Sequence, residues 1–553
     1  IDRRAFIAYF SGAGLATTLL PGALWTQVAS AQSTEITPEM VEAAAKIAGL
    51  DFTQEEREQI AKGLARNISQ FEALRENPIP NDVPPAIQFN PLPPSFSPPS
   101  QQGTVEFSSP NESKRPRNLD ALAHWSLIDL AGLIKSKKIT ARELTEMYIA
   151  RLKRHTPELH CVITLTEERA LRQADEADKE IASGKYRGPL HGIPWGAKDL
   201  LAVKGYPTTW GATPYKDQTF DYDATVVQRL DEAGAILVAK LSLGALAQND
   251  IWFGERTRNP WDTERGSSGS SAGPASATSA GLVAFSIGSE TNGSIMSPAT
   301  TCGVTGLRPT FGRVSRHGAM ALSWTMDKIG PICRTAEDCA IVLDAIHGQD
   351  DNDSTTLDAA FNWNPSLDPT KLRVGYLKDA FREDTKNRHN QASLDVLRAQ
   401  GIDLKPVSLP DFDFQSLSFI LTTESAAAFD ELTRNNRDDE LIKSNWPNAF
   451  RTARFVPAVE YIQANRARTL LIREMAETMT DIDLFVTPSR QNLMLGNLTG
   501  HPLICVPDGF TDPGLPTSIG FFGKLYGDSE IMAVAKHFQD NTDHHLQYPP
   551  GFS

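Results

Sequence analysis

Residues 265–306 are the part of this 553-residue chain that most constrains its fold, and they read RGSSGSSAGPASATSAGLVAFSIGSETNGSIMSPATTCGVTG. Glycines and small residues surround two candidate reacting hydroxyls, Ser270 and Ser294. Small polar runs are typical of flexible linkers, but this one contains an apolar stretch, Gly281–Gly288, that indicates a buried helix end and strand. A linker has no reason to bury its centre. The segment therefore predicts a structured site in which backbone N–H groups come close to a ligand.

The composition excludes some classes of partner. Hydrophobic residues make up 40% of the chain and charged residues 22%, as in ordinary soluble globular proteins. The formal net charge is −14, and no basic stripe with interleaved aromatic residues offsets it. A nucleic-acid partner or an anionic membrane surface is therefore not expected.

The N-terminal residues predict export. Asp2-Arg3-Arg4-Ala5-Phe6-Ile7 precedes an apolar stretch to Val28 and then Ala29-Ser30-Ala31. A charged region, an apolar region and an A-x-A site are typical of a cleaved signal, and the paired arginines resemble the twin-arginine type. A Sec signal and a short amphipathic helix are the alternatives. We expect residues 1–31 to be a twin-arginine-like signal and the protein to be periplasmic or secreted, with no membrane association after cleavage.

The chain then divides into three regions. Residues 32–77 predict a helical arm, because proline follows Thr37 at a helix start and Thr53–Glu56 has capping-box spacing. Residues 78–118 predict a proline-rich linker. Residues 119–553 alternate strand and helix patterns, which predicts an α/β domain around a buried sheet. The role of the arm and the choice between monomer and homodimer remain open.

Lys198 is the candidate base for a serine nucleophile. A hydroxyl needs a neighbouring base at neutral pH, and none of the eleven histidines lies in residues 265–306. Lys198 stands among small residues in HGIPWGAKDL, and burial lowers a lysine pKa by several units from its free value of about 10.4. A surface lysine is the alternative.

Three motifs together resemble the amidase signature family. They are HGIPWGAKD over 191–199, GSSAGP over 269–274 and GSETNGS over 288–294. Further matches lie over 306–315 and 497–502. The resemblance implies one α/β/α domain with a central mixed sheet of about eleven strands. The five cysteines show neither a CxxC pair nor zinc-ligand spacing.

The resemblance also implies a Ser-cisSer-Lys triad that needs no metal or organic cofactor. Position by position, Lys198 is the general base, Ser270 the relay serine on a cis peptide and Ser294 the nucleophile. An alternative alignment would start the motif at Ser267. The oxyanion hole would be formed by the backbone N–H groups of Thr291, Asn292 and Gly293, together with that of Ser294.

The chain departs from the family pattern in ways that affect substrate choice. Glu290-Thr-Asn-Gly-Ser294 stands where the family usually has Asp-Thr-Gly-Gly-Ser. Met296 replaces an arginine often found two residues after the nucleophile, so we expect any buried Asp–Arg support there to be absent. The segment between Pro488 and Asn497 is short. Several large apolar residues are candidates for a pocket or for core packing: Trp195, Trp210, Trp252, Phe253, Trp324 and Met326.

The expected function is an exported amidase. It would hydrolyse a carboxamide C–N bond of a small-molecule amide to a carboxylate plus an amine or ammonia, through an acyl-enzyme. One alternative is the A-type component of a glutamyl-tRNA(Gln) amidotransferase, against which the export signal argues. The other is a catalytically inactive exported binding protein.

Overall fold

The computed structural model describes residues 36–76, 79–93, 96–111, 114–384 and 388–552. The predicted export signal, residues 1–31, lies outside them. Contacts divide the chain after Pro80: Phe455–Pro457 belong with the N-terminal unit, and Asn81–Arg454 with residues from Ala458 onward form the other. No helix in these ranges has the length and apolar character needed to cross a membrane.

The N-terminal unit contains two helices, α1 (Pro38–Ile47) and α2 (Gln54–Arg75). Thr37 caps α1 by accepting a hydrogen bond from the Met40 backbone N–H. Thr53 and Glu56 form a reciprocal capping box at α2, which satisfies N–H groups that the first helical turn leaves free. The helical N-terminal region is therefore confirmed, and its caps are the residues that the sequence indicated.

The larger unit is built on an eleven-stranded mixed sheet with the strand order β1-β3-β2-β6-β8-β7-β12-β13-β11-β9-β10. This confirms the predicted α/β fold. A separate hairpin is formed by β4 and β5. The strands are β1 (Val162–Leu165), β2 (Pro194–Lys198), β3 (Ile236–Leu241), β4 (Arg258–Asn259), β5 (Asp262–Gly266), β6 (Phe285–Glu290), β7 (Thr305–Arg308), β8 (Lys328–Cys333), β9 (Val374–Tyr376), β10 (Leu404–Pro406), β11 (Leu484–Pro488), β12 (Leu503–Phe510) and β13 (Pro516–Gly523).

Helices flank the sheet and cover its apolar strands. Every residue of β2, β3 and β8 is buried, as expected of strands covered on both faces. The helices are α3 (Leu127–Lys135), α4 (Ala141–Leu159), α5 (Glu167–Ala182), α6 (Thr225–Glu232), α7 (Ala272–Ser279), α8 (Met296–Cys302), α9 (Ala336–Ile346), α10 (Lys378–Glu383), α11 (Asn390–Ala399), α12 (Phe419–Ala428), α13 (Asp430–Arg434), α14 (Trp446–Ala453), α15 (Ala458–Thr478), α16 (Leu493–Thr499) and α17 (Asp528–Asp540).

Strand pairing brings the separated sequence motifs together. β2 and β6 are parallel neighbours, with Trp195 opposite Phe285 and Ala197 opposite Ile287. β6 is antiparallel to β8, with Glu290 opposite Lys328. Because parallel neighbours end at the same sheet edge, Lys198 at the end of β2 lies beside the end of β6.

The proline-rich segment belongs to the larger unit from Asn81 onward, and several of its described residues contact the rest of that unit. Ala360 N–H donates to the carbonyl of Pro99 at 2.7 Å, and the ring of Phe89 packs edge-on against Phe311. Further along, Ser108 N–H donates to the Glu337 carboxylate at 2.7 Å. These hydrogen bonds satisfy backbone groups that prolines and irregular chain leave without partners in a β-sheet.

The five cysteines are all buried free thiols.

Candidate active site

Lys198 ends β2 inside the protein and is surrounded by hydroxyl groups. Its side chain is 0% exposed. Its Nζ lies 2.8 Å from Ser270 Oγ, 2.9 Å from Ser289 Oγ and 3.1 Å from Ser271 Oγ. It forms no ion pair with any residue that the structure describes. A buried amine partnered by hydroxyls instead of a carboxylate has little to hold its proton.

The electrostatic consequence is a lysine that titrates near neutral pH. Burial lowers the pKa of Lys198 to about 7, against the opposing influence of the Asp327 and Glu290 carboxylates. Desolvation disfavours the charged ammonium, and the attraction of these acids compensates only in part. Near pH 7 a large fraction of Lys198 is therefore a neutral amine with a free lone pair.

Ser270 follows a cis peptide bond between Gly269 and Ser270, as the resemblance implied. Position 269 has room only for glycine, because a Cβ there would lie 1.8 Å from the carbonyl oxygen of Asn249. The alternative relay, Ser267, donates its hydroxyl to the Ser268 carbonyl. Of the two serines, Ser270 is the one hydrogen-bonded to Lys198.

Ser271 and Ser289 complete the polar surroundings of Lys198, and neither was singled out from the sequence. Ser271 Oγ donates to the Ser289 carbonyl and accepts from the Ser289 backbone N–H, both at 3.1 Å. The Ser271 backbone N–H donates to the Ser294 carbonyl at 3.0 Å. Ser271 thus ties the Ser270 segment to the turn that carries Ser294. The doubled serine in GSSAGP was a signal for Ser271, whereas Ser289 is identified only by strand pairing.

Ser294 is partly exposed in the turn between β6 and α8. Within the described ranges, the backbone N–H groups of residues 291–294 donate no hydrogen bond. Gly293 has φ +87°, in the left-handed region that favours glycine. Three predicted oxyanion donors, Thr291, Asn292 and Gly293, therefore lie in one turn with unused N–H groups.

Glu290 fixes this turn from inside the protein. Its Oε2 accepts hydrogen bonds from the backbone N–H groups of Ile295 at 2.8 Å and Met296 at 3.0 Å. Its Oε1 accepts from Arg308 Nη1 at 2.9 Å and from Asn497 Nδ2 at 3.0 Å. Burial opposes ionisation, but the arginine and these hydrogen bonds hold the pKa of Glu290 below its ordinary value.

A buried arginine supports Glu290 from a position that the sequence did not indicate. Met296 does remove the arginine from α8, but Arg308 on β7 supplies a guanidinium to Glu290, and both side chains are 0% exposed. The sequence position of the arginine differs because β7 lies beside β8, which pairs with β6. Arg308 is 18 positions from Glu290, and only the sheet order reveals that the two side chains are paired.

A second acid, Asp327, holds the start of the same turn. Its Oδ1 accepts a hydrogen bond from Thr291 Oγ1 at 2.6 Å. Its Oδ2 accepts from the backbone N–H groups of Leu322 and Ser323 at 2.8 and 2.9 Å. Burial raises the pKa of Asp327 above its ordinary value, although these hydrogen bonds oppose that change. The loop before β8 therefore positions Thr291.

A cavity of about 60 Å³ adjoins the turn, with Ser289, Thr291 and Asp327 in its wall. Trp324 lines it, whereas Trp195 and Met326 are buried in the core and Trp252 and Phe253 line a different pocket. Trp210 packs on Tyr215 and Phe429. No cluster of three or more His, Cys, Asp or Glu side chains in the described ranges is placed to hold a metal ion.

Comparison with known proteins identifies relatives over most of the chain. A family model described as Amidase matches residues 143–493. The A-type component of the glutamyl-tRNA(Gln) amidotransferase of Dehalococcoides mccartyi (strain CBDB1) is 33% identical, over 75% of this chain and 97% of the relative. The protein of the same description from Geobacillus kaustophilus (strain HTA426) is 34% identical, over 78% of this chain and 99% of the relative.

Solved structures share the fold over the same region. The native peptide amidase from Stenotrophomonas maltophilia has a TM-score of 0.70 at 27% identity, covering 78% of this chain and 100% of that chain. A chain from a vestigial protein complex, described as revealing the origins of an s-triazine catabolic enzyme, has a TM-score of 0.71 at 26% identity. That match covers 75% of this chain and 98% of the other.

Proposed function

This chain belongs to the amidase signature family, whose enzymes act on amide C–N bonds, and on that premise we propose that it hydrolyses a carboxamide through an acyl-enzyme on Ser294. Ser270 would relay the proton and Lys198 would be the general base. The observation that carries the proposal is the buried Lys198 amine, 2.8 Å from Ser270 Oγ and free of any carboxylate contact among the described residues. Its burial and its lowered pKa support a role as proton acceptor at neutral pH.

The first step forms a bond between Ser294 Oγ and the amide carbon. The neutral Lys198 amine accepts the proton of the Ser270 hydroxyl as Ser270 takes the proton of Ser294. The carbonyl oxygen becomes an oxyanion next to the unused N–H groups of residues 291–294. Each such donor typically contributes about 2.7–4 kcal/mol to transition-state stabilisation.

The second step breaks the C–N bond and regenerates the enzyme. The proton returns through Ser270 to the leaving nitrogen, which departs as an amine or ammonia. Water then attacks the ester carbon and passes its proton along the same relay, so that a carboxylate is released and Ser294 recovers its hydrogen. The protons and bonds balance with water as the sole co-reactant.

A second candidate is the A-type component of a glutamyl-tRNA(Gln) amidotransferase. The curated relatives at 33–34% identity carry that description and support it better than they support a free-standing exported hydrolase. In this case the acyl donor would be glutamine, ammonia would be the product, and partner proteins would be required. Export to the periplasm or medium is the competing proposal, supported by the pattern of residues 1–31.

One experiment tests the shared chemistry and separates the two candidates. The full chain is treated with a fluorophosphonate, and peptide mass spectrometry locates the modification. A panel of aryl, aliphatic and peptide amides, with glutamine, is then assayed with and without the other components of an amidotransferase. Labelling of Ser294 with turnover by the isolated chain supports the hydrolase, and ammonia release that requires partners supports the amidotransferase.

Failure of labelling at Ser294, together with no amide turnover under either condition, would contradict both candidates. It would favour the inactive binding protein instead. The lysine–serine arrangement gives no support to that outcome, because a binding role has no use for a buried amine with a depressed pKa.

A further inference from the structure

The cavity beside Thr291 is lined in part by a short stretch of the proline-rich segment, residues 81–84, named here the strap. Asp82 and Pro84 of the strap line the cavity together with Thr291 and Ser289. The floor is mainly apolar and includes Leu200, Ala247, Met320, Leu322 and Ile329. With a volume of about 60 Å³, the cavity has room for a compact group only.

Asn81 of the strap forms two hydrogen bonds with Ala321, which lies in the loop before β8. Asn81 Nδ2 donates to the Ala321 carbonyl at 2.9 Å, and Ala321 N–H donates to Asn81 Oδ1 at 2.7 Å. Asn81 Nδ2 also lies 3.4 Å from the Ala428 carbonyl, and Tyr222 OH lies 3.4 Å from Asp82 Oδ2. An amide that pairs with both backbone groups of one residue fixes the strap in one position.

The same loop carries the groups that hold the proposed oxyanion turn. Leu322 and Ser323, which follow Ala321, donate their N–H groups to Asp327, and Asp327 accepts from Thr291. The Asn81 contact is therefore connected to Thr291 through the Ala321–Ser323 backbone and the hydrogen bonds of Asp327. The strap is part of the wall of the site.

We propose that the strap limits the acyl group that the enzyme accepts to a short one, with Asn81 as the residue that holds the strap in place. This proposal rests on the proposed function. The acyl half is the one assigned to the cavity because it remains attached to Ser294 while the amine departs and water enters. A small cavity beside the proposed oxyanion turn suits the half that stays.

The test measures how fast two fluorophosphonates modify Ser294 in the full chain, one carrying a methyl group and the other an octyl group. Intact-mass spectrometry gives both rates for the wild type and for Asn81→Ala, Asp82→Ala and Gln88→Ala. Gln88→Ala is the matched control, since this strap-proximal amide contacts Ser354 and does not line the cavity. The ratio of the two rates is unaffected by the fraction of protein that is folded.

In the wild type we expect the methyl probe to react faster than the octyl probe by about tenfold or more, as a pocket that excludes extra methylenes requires. Asn81→Ala should reduce this ratio by about tenfold, and Gln88→Ala should leave it unchanged. If Asn81→Ala folds poorly, Asp82→Ala takes its place. Asp82 lines the cavity but is exposed, so its substitution should not prevent folding, and we expect it to lower the ratio of the two rates as well.

A wild-type ratio near one, or an unchanged ratio in both Asn81→Ala and Asp82→Ala, would overturn the role of the strap while leaving the proposed function intact. Absence of labelling by either probe in the wild type would instead overturn the proposed function, and the strap proposal with it.

Discussion

The Glu290 carboxylate and the Arg308 guanidinium form a hydrogen-bonded pair at 2.9 Å with neither side chain exposed. The pair connects β6 to β7 across the intervening strand β8. Glu290 in turn binds two backbone N–H groups immediately after Ser294. The conformation of the proposed nucleophile turn therefore depends on a buried ion pair that no local sequence motif contains.

Arg308→Met should destabilise the protein and impair catalysis. Removing one partner leaves Glu290 buried without its cation, which typically costs about 3–5 kcal/mol. We expect the free energy of unfolding, measured by denaturant titration, to fall by that order and kcat to fall with it. Arg382→Met is the control, because Arg382 pairs with Asp379 on the surface and both are about 70% exposed, so its effect should stay below about 1 kcal/mol. A variant as stable as the wild type would show that the pair is dispensable.

Ser294→Ala and Lys198→Ala should each abolish amide turnover while the protein remains folded. The first removes the atom that attacks the carbonyl carbon, and the second removes the proton acceptor. Turnover of the best amide and circular dichroism are measured on the same samples, with Lys204→Ala as a control on an exposed lysine. Near-wild-type hydrolysis by either variant would end the assignment.

Ser270→Ala should cause a severe but incomplete loss of turnover. The substitution leaves space beside Lys198 Nζ that a water molecule can occupy, and a water can carry a proton between Ser294 and the amine. We expect residual kcat above that of Ser294→Ala, with KM nearly unchanged. Equal and complete inactivity of the two variants would mean that no water substitutes for the relay hydroxyl.

The pH dependence of kcat/KM should follow Lys198. Its pKa of about 7 means that activity rises with pH through that value, as the amine loses its proton. Initial rates over pH 5 to 9 measure this rise of kcat/KM with pH. A rate independent of pH across this range would exclude Lys198 as the base.

The lowered pKa of Lys198 also predicts how the stability of the protein depends on pH. The unfolded lysine retains its proton to about pH 10.4, whereas the folded one loses it near 7. Between these values the unfolded state binds more protons, so this group makes the free energy of unfolding rise with pH. In Lys198→Met that contribution is absent, so the stability of the wild type relative to the variant should increase from pH 7 to pH 10.

Thr291→Val should lower kcat by about tenfold with little change in KM, since an oriented backbone donor acts on the transition state. Valine keeps the shape of threonine but loses the 2.6 Å hydrogen bond to Asp327. Thr291→Ser keeps the hydroxyl and serves as the control. Steady-state kinetics on one amide measure both, and equal kcat values for the two variants would remove Asp327 from the positioning of the turn.

Local sequence was sufficient for the parts of this protein that depend on neighbouring residues. The capping box at Thr53 and the buried β-strand pattern of residues 235–240 were readable because helix starts and strand patterns are local properties. The motifs around Lys198, Ser270 and Ser294 were likewise readable as short strings. Their roles remain proposals, but the hydrogen bonds that connect Lys198 to Ser270, and Ser271 to the Ser294 carbonyl, are a property of the fold.

What the sequence could not supply were partners distant along the chain. Arg308 was missed as the support for Glu290, Asp327 as the acceptor for Thr291, and Ser289 as a contact of Lys198. Each of these pairs is set by the order of the strands in the sheet or by a loop that returns to the sheet edge. The strand order cannot be predicted from the residue types alone. The strap is a similar case, since Asn81 and Ala321 are 240 residues apart.

The sequence by itself determined the α/β class, the family and the residue types available for proton transfer, because periodicity and short motifs depend only on residues that are close together along the chain. Tertiary structure alone decided which of those residues lie within hydrogen-bond distance and how dry their surroundings are. The pKa of Lys198 illustrates the division: the residue is fixed by the chain, but its loss of charge near neutral pH follows from complete burial among hydroxyls.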